Sequence, residues 1–298
     1  MSNNQGQAKG YIYTAQAFVS WGLLAVYWKL LSHVPALEIL AHRIFWSFLF
    51  VLIFLSVKKK LHLKQIFRNK KSFLTLVVTG LLVGSNWGVY IYGVNAGHIV
   101  EASLGYYITP LVNVVLGMIF LKERLSKLQI IALLLAVSAV AYLTIDYGRF
   151  PWISIYLAFS FGLYGLLKKK SGVEPMPALA IETMVLTPFA LVYIIGGIID
   201  GSGHLFNGTL LTNILFIVAG VVTTLPLYWF AQGTKRIPLT SVGFMQYIAP
   251  TIMLLLGIFL YNEGFPIEKQ IAFASIWLAL VFYSIAVIGK FRKRHKSQ

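Results

Sequence analysis

The chain has 298 residues, 58% hydrophobic and only 11% charged, with a formal net charge of +16. Soluble domains carry about 25% charged residues, so a water-facing surface is excluded. Repeated apolar runs of about 20 residues predict an all-α integral membrane protein, not the short alternating strands of an outer-membrane barrel. No Cys is present, which removes disulfides, thiol catalysis and Cys-based metal sites.

Ten apolar windows follow one another, each a predicted membrane helix. The first covers 10–32; it is too long for the apolar segment of a signal peptide and has no clear cleavage site, so it reads as a span. Lys29 near its end is expected to snorkel outward. The second, 36–57, holds Glu38, His42 and Arg43. At ~1.5 Å per residue from Pro35, Glu38 lies ~5 Å in and Arg43 ~12 Å in, close to the middle of a ~30 Å core. An arginine there costs at least ~2.5 kcal/mol on insertion scales, so it should face a wet cavity or a partner.

The third window, 72–95, carries Asn86, Trp87, Tyr90, Tyr92 and Asn95, with Asn86 and Tyr90 on one helix face. The fourth, 100–121, opens on Glu101, expected at the interface, and continues with Tyr106 and Tyr107, expected to line a cavity. Glu123, at its end in "KER", reads as half of a surface ion pair, with gating as the lesser alternative. Windows five to ten cover 127–146, 151–168, 177–199, 211–233, 238–260 and 267–289. Glu182 lies in the seventh. Pro110, Pro226 and Pro250 fall inside the fourth, eighth and ninth. Each removes a backbone bond, which leaves the carbonyls near Tyr106 and Gln246 in need of partners; these prolines are kinks first and hinge candidates second.

The 25 Lys and Arg are sided. Apart from Lys29 and Arg43 in or beside spans, and Arg149 and Lys269 on one side, all fall in the tails and loops of the other side. By the positive-inside rule both termini are cytoplasmic. The clusters therefore write topology and do not predict nucleic-acid binding, and "KKKLHLKQIFRNKK" at 58–71 has the composition to lie on anionic lipid.

Sliding the chain on itself by 140 residues superposes Tyr107, Pro110, Gly117 and Glu123 on Tyr247, Pro250, Gly257 and Glu263. The same shift pairs Gly22 with Gly162, Pro35 with Pro175 and Gly80 with Gly220. Such internal self-similarity marks a duplication: residues 1–147 and 148–298 are two five-helix repeats. An odd number of spans per copy inverts the second in the membrane, which is the plan of secondary transporters.

The stretches "YYITPLVNVVLGMIFLKE" and "QYIAPTIMLLLGIFLYNE", each a proline-bearing span ending in an acid, resemble the EamA family of the drug/metabolite transporter superfamily. "AHRIFWS", "GSNWGVYIYGVNAGHIVEASLGYYITPL" and "TTLPLYWFAQGTKRIPLTSVGFMQYIAPT" are similar to its RarD-type branch. The resemblance implies ten helices, a plasma (inner) membrane location and export or exchange of small molecules. It names no substrate. In related four-helix multidrug transporters a first-span glutamate carries the coupling ion; this chain has Gln16 there and no acid, so that mechanism does not transfer.

The 140 shift pairs His42 with Glu182, so both are expected within ~5 Å of the midplane. They are the candidate proton-coupling pair. Substrate-binding candidates are Arg43, His42, Asn86, Tyr90, Tyr106, Tyr107, Glu182 and Gln246; the alternative for Arg43 is a structural lock on Glu182 or a carbonyl. No GxxxxGK[ST], HExxH or GxSxG occurs, so neither ATP-driven transport nor the common hydrolase signatures are present. The expectation is a secondary transporter of a small organic molecule, not an enzyme, without metal or cofactor. Its partners are the substrate and the bilayer, and a homodimer is left open. The competing readings are a flippase or enzyme acting on a lipid-linked substrate with Arg43, His42 and Glu182, and a membrane partner that transports nothing.

Overall fold

The structure is a computed structural model that describes residues 2–58, 63–262 and 267–296. These form twelve helices and, among the described residues, no strand. They are α1 (Ser2–Leu30), α2 (Ala36–Val57), α3 (Leu63–Arg68), α4 (Lys70–Asn95), α5 (Ile99–Leu121) and α6 (Lys127–Tyr147), then α7 (Trp152–Lys170), α8 (Pro175–Ile199), α9 (Leu210–Arg236), α10 (Leu239–Gln246), α11 (Ile248–Tyr261) and α12 (Ile267–Lys296). Glu263 lies outside the described residues.

Local chemistry sets the helix ends. Asn69 Oδ1 accepts from Ser72 N at 3.1 Å to cap α4, and Thr209 Oγ1 accepts from Thr212 N at 3.1 Å to cap α9. Ser126 and Gln129 form a reciprocal capping box on α6. Lys122 and Asn262 both end their helices in left-handed conformation, at φ 54° and 53°, each sending its N–H back to a glycine carbonyl, Gly117 and Gly257.

Among the described residues, eight segments are long and apolar enough to cross a membrane on length and composition, with α10 and α11 counting together over 239–261. The long helices α1 and α7 fall outside this set; Tyr, Trp, Ser and Gly dilute their apolar runs, and α7 ends in three lysines. Ile119, Leu134, Phe189, Val192 and Phe259 are exposed on the outside of the bundle, a surface suited to lipid.

The ninth window, expected as one helix, is broken at Tyr247. Pro250 has no N–H for the Gln246 carbonyl and its ring crowds that turn, so Tyr247 N turns back to Phe244 O at 3.3 Å before α11 resumes. Pro110 and Pro226 sit within unbroken α5 and α9, as does Pro188 within α8. Part of the 58–71 loop is the helix α3, which tucks Ile66 against Leu76, Ala178 and Ile181.

Every extensive packing joins a helix of 1–147 to one of 148–298. The pairs are α1 with α9 and α11, α2 with α8 and α9, α4 with α7 and α8, α5 with α7 and α10, and α6 with α12. Glycines let backbones touch where these helices cross. A Cβ on Gly220 would lie 2.4 Å from the Trp46 carbonyl carbon, and one on Gly80 3.0 Å from the Glu182 carbonyl oxygen.

Candidate functional site

A cavity of about 300 Å³ lies inside the bundle, walled by α1, α2, α4, α5, α7, α9 and the α10–α11 segment. Its wall residues on α1, α2 and α4, among them Trp28, Ala36, Arg43 and Tyr90, belong to the halves of those helices nearer the α1–α2 turn. That end of the bundle is termed the Pro35 end.

Arg43 is the charged residue of the wall. Its guanidinium lies between two indoles, 4.6 Å from the Trp28 ring centroid and 4.5 Å from that of Trp87. Its Nε donates to Thr223 Oγ1 at 3.2 Å. This geometry delocalises the cation over π faces and fixes the plane of the fork from one edge only. Asn86 reaches across from α4 to α7, donating from Nδ2 to Leu157 O and Ser160 Oγ, both at 2.9 Å. Tyr90 and Tyr106 meet edge to face at 5.7 Å between centroids. Gln246, at the α10–α11 break, accepts from Asn113 Nδ2 at 2.7 Å through Oε1. Arg43, Asn86, Tyr90, Tyr106, Gln246 and Pro250 are thus brought to one cavity.

Toward the opposite end the cavity meets a packed aromatic cluster. Trp21 touches Phe18, Phe161 and Phe230, with centroid separations of 5.5, 5.8 and 5.7 Å, and Tyr164 stacks on Phe230 at 5.9 Å. Below it the buried Glu182 carboxylate accepts from Lys168 Nζ at 2.9 and 3.2 Å and from Thr79 Oγ1 at 2.6 Å.

The remaining candidates lie off the cavity wall. His42 is buried against α9, its ring stacked on Phe216 at 3.9 Å, with Nε2 3.9 Å from Glu38 Oε1. Its Nδ1 is buried without a hydrogen-bond partner. Tyr107 packs edge-on to Phe273 at 5.5 Å, and its carbonyl accepts from Tyr247 OH at 3.1 Å. No hydrogen bond or ion pair among the described residues joins Arg43 or His42 to Glu182. The alternative reading, a lock of Arg43 on Glu182, gives way to two separate arrangements: Arg43 bonds Thr223, and Glu182 bonds Lys168 and Thr79. Pro110 and Pro226 are buried within their helices.

Other expectations also change. Lys168 and Lys169, assigned to a loop, belong to the last turn of α7: Lys168 is buried on Glu182, and Lys169 Nζ donates to Thr234 O at 2.9 Å. Glu101, expected at the interface, is buried and caps α7, accepting from Ile153 N at 2.7 Å and Tyr147 OH at 3.0 Å. Glu123 is no surface ion pair; it caps α10, accepting from Leu239 N at 2.7 Å and Thr240 N at 2.8 Å. Lys29 is exposed, as a snorkelling lysine would be, with its ammonium 4.0 Å over the Tyr261 ring. Glu38 holds the loop after α8, accepting from His204 N at 2.6 Å and pairing with His204 Nδ1 at 2.8 Å. In that loop, outside the helices, hydrogen bonds from Ser202 hold the Asp200 carboxyl below its usual range.

Sequence reading missed Trp28, Thr223 and Lys168. Trp28 sits at a span end, where tryptophan normally anchors at the interface, so only its contact with Arg43 separates it from that role.

Comparison with known proteins identifies the family and the fold. The model of the EamA-like transporter family matches residues 8–145. The chain is 46% identical to the uncharacterized transporter YojE of Bacillus subtilis over 97% of both chains. It is 40% identical to the protein RarD of Escherichia coli, covering 97% of this chain and 98% of that one. A solved crystal structure superposes with a TM-score of 0.72 at 16% identity, covering 94% and 98% of the two chains; it shares the fold. On this evidence the protein is a multi-pass membrane transporter, and it belongs to the EamA family of drug/metabolite transporters, in the RarD-type branch.

Proposed function

We propose that the protein is a secondary transporter that moves a small organic molecule by alternating access between two inverted five-helix halves, 1–147 and 148–298. It works as an exporter or exchanger and has no enzymatic activity. The observation that carries this reading is the cavity itself: helices of both halves wall it, and a packed aromatic cluster closes it on one side.

Ten spans and an inverted repeat are supported by the packing. Exchanging each helix for its counterpart 140 residues away maps α1–α9 onto α7–α4, α2–α9 onto α8–α4 and α5–α7 onto α11–α1, and leaves α2–α8, α5–α10 and α6–α12 in place. Residues near such an axis should meet their own counterparts. Tyr247 bonds Tyr107, and Ala132, Ala136 and Ala139 share a cluster with Ala272, Ile276 and Ala279. In this reading α1 and α7 also cross, with α10 and α11 as one interrupted span.

The charge asymmetry supports a plasma-membrane orientation with both termini cytoplasmic, which makes the Pro35 end external and the state outward-facing. Arg43, Asn86, Tyr90, Tyr106 and Gln246 then bind substrate, while Tyr107 lies on the pseudo-axis behind them. Pro250, at the break beside Gln246, is the hinge; Pro110 and Pro226 bend their helices. His42, with its unpartnered Nδ1, and Glu182, in the closed layer, are two buried titratable groups and the pair proposed for proton coupling.

The cysteine-free chain allows a direct test. Single cysteines at Ser202 and Ser171 are labelled in intact cells by a membrane-impermeant maleimide. Ser202→Cys reacts without permeabilisation and Ser171→Cys only with it; the reverse pattern removes the orientation, and with it the outward-facing assignment. Flux of labelled metabolites in proteoliposomes tests transport, and flux indifferent to a pH gradient removes proton coupling alone.

A further inference from the structure

We infer that the cavity selects a compact organic monoanion, a carboxylate carried on a flat apolar body. The inference rests on the transporter reading for its physiological meaning but on the cavity wall for its chemistry. Arg43 is the charged residue of that wall, and no Asp or Glu lines it. The carboxylates on the surrounding helices are already engaged: Glu38 by His204, Glu101 by Ile153 and Tyr147, and Glu182 by Lys168 and Thr79. Among the described residues Arg43 makes no ion pair, and its one hydrogen bond leaves through Nε to a neutral hydroxyl. The two indoles flank the guanidinium. Together these contacts hold the fork in place and leave both terminal nitrogens without a protein acceptor.

A guanidinium fork of this kind pairs with a carboxylate through two parallel charge-assisted bonds. Within a low-dielectric wall an uncompensated cation is costly, so the occupant that neutralises it is favoured over one that does not. A single positive charge matches a monoanion, and a dianion would leave one charge without a counterpart. The rest of the lining, with Trp21, Tyr90, Tyr106 and Phe161, offers flat faces and edges, which suit an aromatic or similarly planar body. The volume, about 300 Å³, lies at the small end of ligand cavities.

The test uses the full chain in nanodiscs and three probes of one shape: phenylacetate, 2-phenylethanol and phenethylamine. Binding is read from tryptophan emission, since Trp28 and Trp87 flank Arg43. Phenylacetate is expected to bind at least about tenfold more tightly than the alcohol, and the amine more weakly than either. Equal affinities, an amine that binds as tightly as the acid, or no phenylacetate binding at millimolar concentration each overturn the inference. In Arg43→Gln the preference for the acid over the alcohol should vanish while alcohol binding persists, and Arg43→Lys should retain part of it. If Arg43→Gln weakens both ligands equally, the arginine is structural and the inference fails. If that variant does not fold, the ranking of the three probes on the unmodified protein decides.

Counterflow in proteoliposomes separates this inference from the reading beneath it. Phenylacetate that binds selectively but is never moved leaves the anion site standing and removes transport. Movement of the amine but not the acid leaves transport standing and removes the anion site.

Discussion

Glu38 and Glu182 are both buried carboxylates, on helices that pack against each other, yet they are held in different ways. Glu38 pairs with His204, whose side chain is 32% exposed, and so ties a connecting loop to α2 beside the cavity. Glu182 pairs with Lys168, 1% exposed, inside a closed layer that also contains Thr79 and the Tyr164 hydroxyl. Breaking a pair with one partner partly in water costs less, because solvent replaces the bonds that His204 loses. Breaking a fully buried pair strands a charge. In the proposed cycle the Pro35 end opens and closes on a weak latch, and the other end opens only when Lys168 and Glu182 find new partners or leave together.

The largest expected effect tests the closed layer. Lys168→Met strands the Glu182 charge and should cost about 3–5 kcal/mol, read as a fall in thermal unfolding temperature in detergent. Adding Glu182→Leu should recover most of the loss. A single variant as stable as the parent would erase the contrast between the two ends.

Next come two glycine crossings, α9 on α2 and α4 on α8. Gly220→Ala forces a methyl to 2.4 Å from the Trp46 backbone, whereas Gly80→Ala brings one to 3.0 Å from that of Glu182. Overpacking of this kind costs about 1–3 kcal/mol, and the Gly220 variant should be the less stable of the two. The opposite order would mean that the layer around Glu182 is the tighter one in both respects.

Glu38→Gln keeps the shape and removes the charge, for a loss of about 1–2 kcal/mol once solvent access to His204 is allowed for. Amide exchange should rise across 200–209 while the global unfolding temperature barely moves. Global destabilisation would show instead that this end is no latch. The smallest effect is expected from Glu123→Ala, which removes the cap of α10 at a cost of about 1 kcal/mol. Its readout is faster exchange at Leu239 and Thr240, with the Glu38 loop unaffected.

Much of this contrast was legible before the fold was known, though not all of it. Arg43 stood out because a charge in an apolar run has few stable settings. Asn86, Tyr90, Tyr106 and Gln246 stood out as polar groups well inside spans, and the fold brings all five to one cavity. Lys168 did not stand out. In "LLKKK" three lysines at a span end look like one topology signal, and which of them turns inward depends on how α7 is rotated as it packs on α4, α5 and α9. The absence of a contact between His42 and Glu182 has a related reason: positions related by the repeat share a depth, which does not require contact. Their actual neighbours, Phe216 and Lys168, are set by which faces of α2 and α8 meet α9 and α7.

Helix content, membrane residence and charge sidedness follow from local transfer free energies summed along the chain, so the order of residues suffices to read them. The break at Pro250 is local too, since it follows from a missing N–H. The cavity, the stacking of Arg43 between Trp28 and Trp87 and the separate fates of the two buried carboxylates depend on side chains far apart in sequence. Those meetings are decided by helix packing, where a turn of one helix face exchanges every neighbour at once.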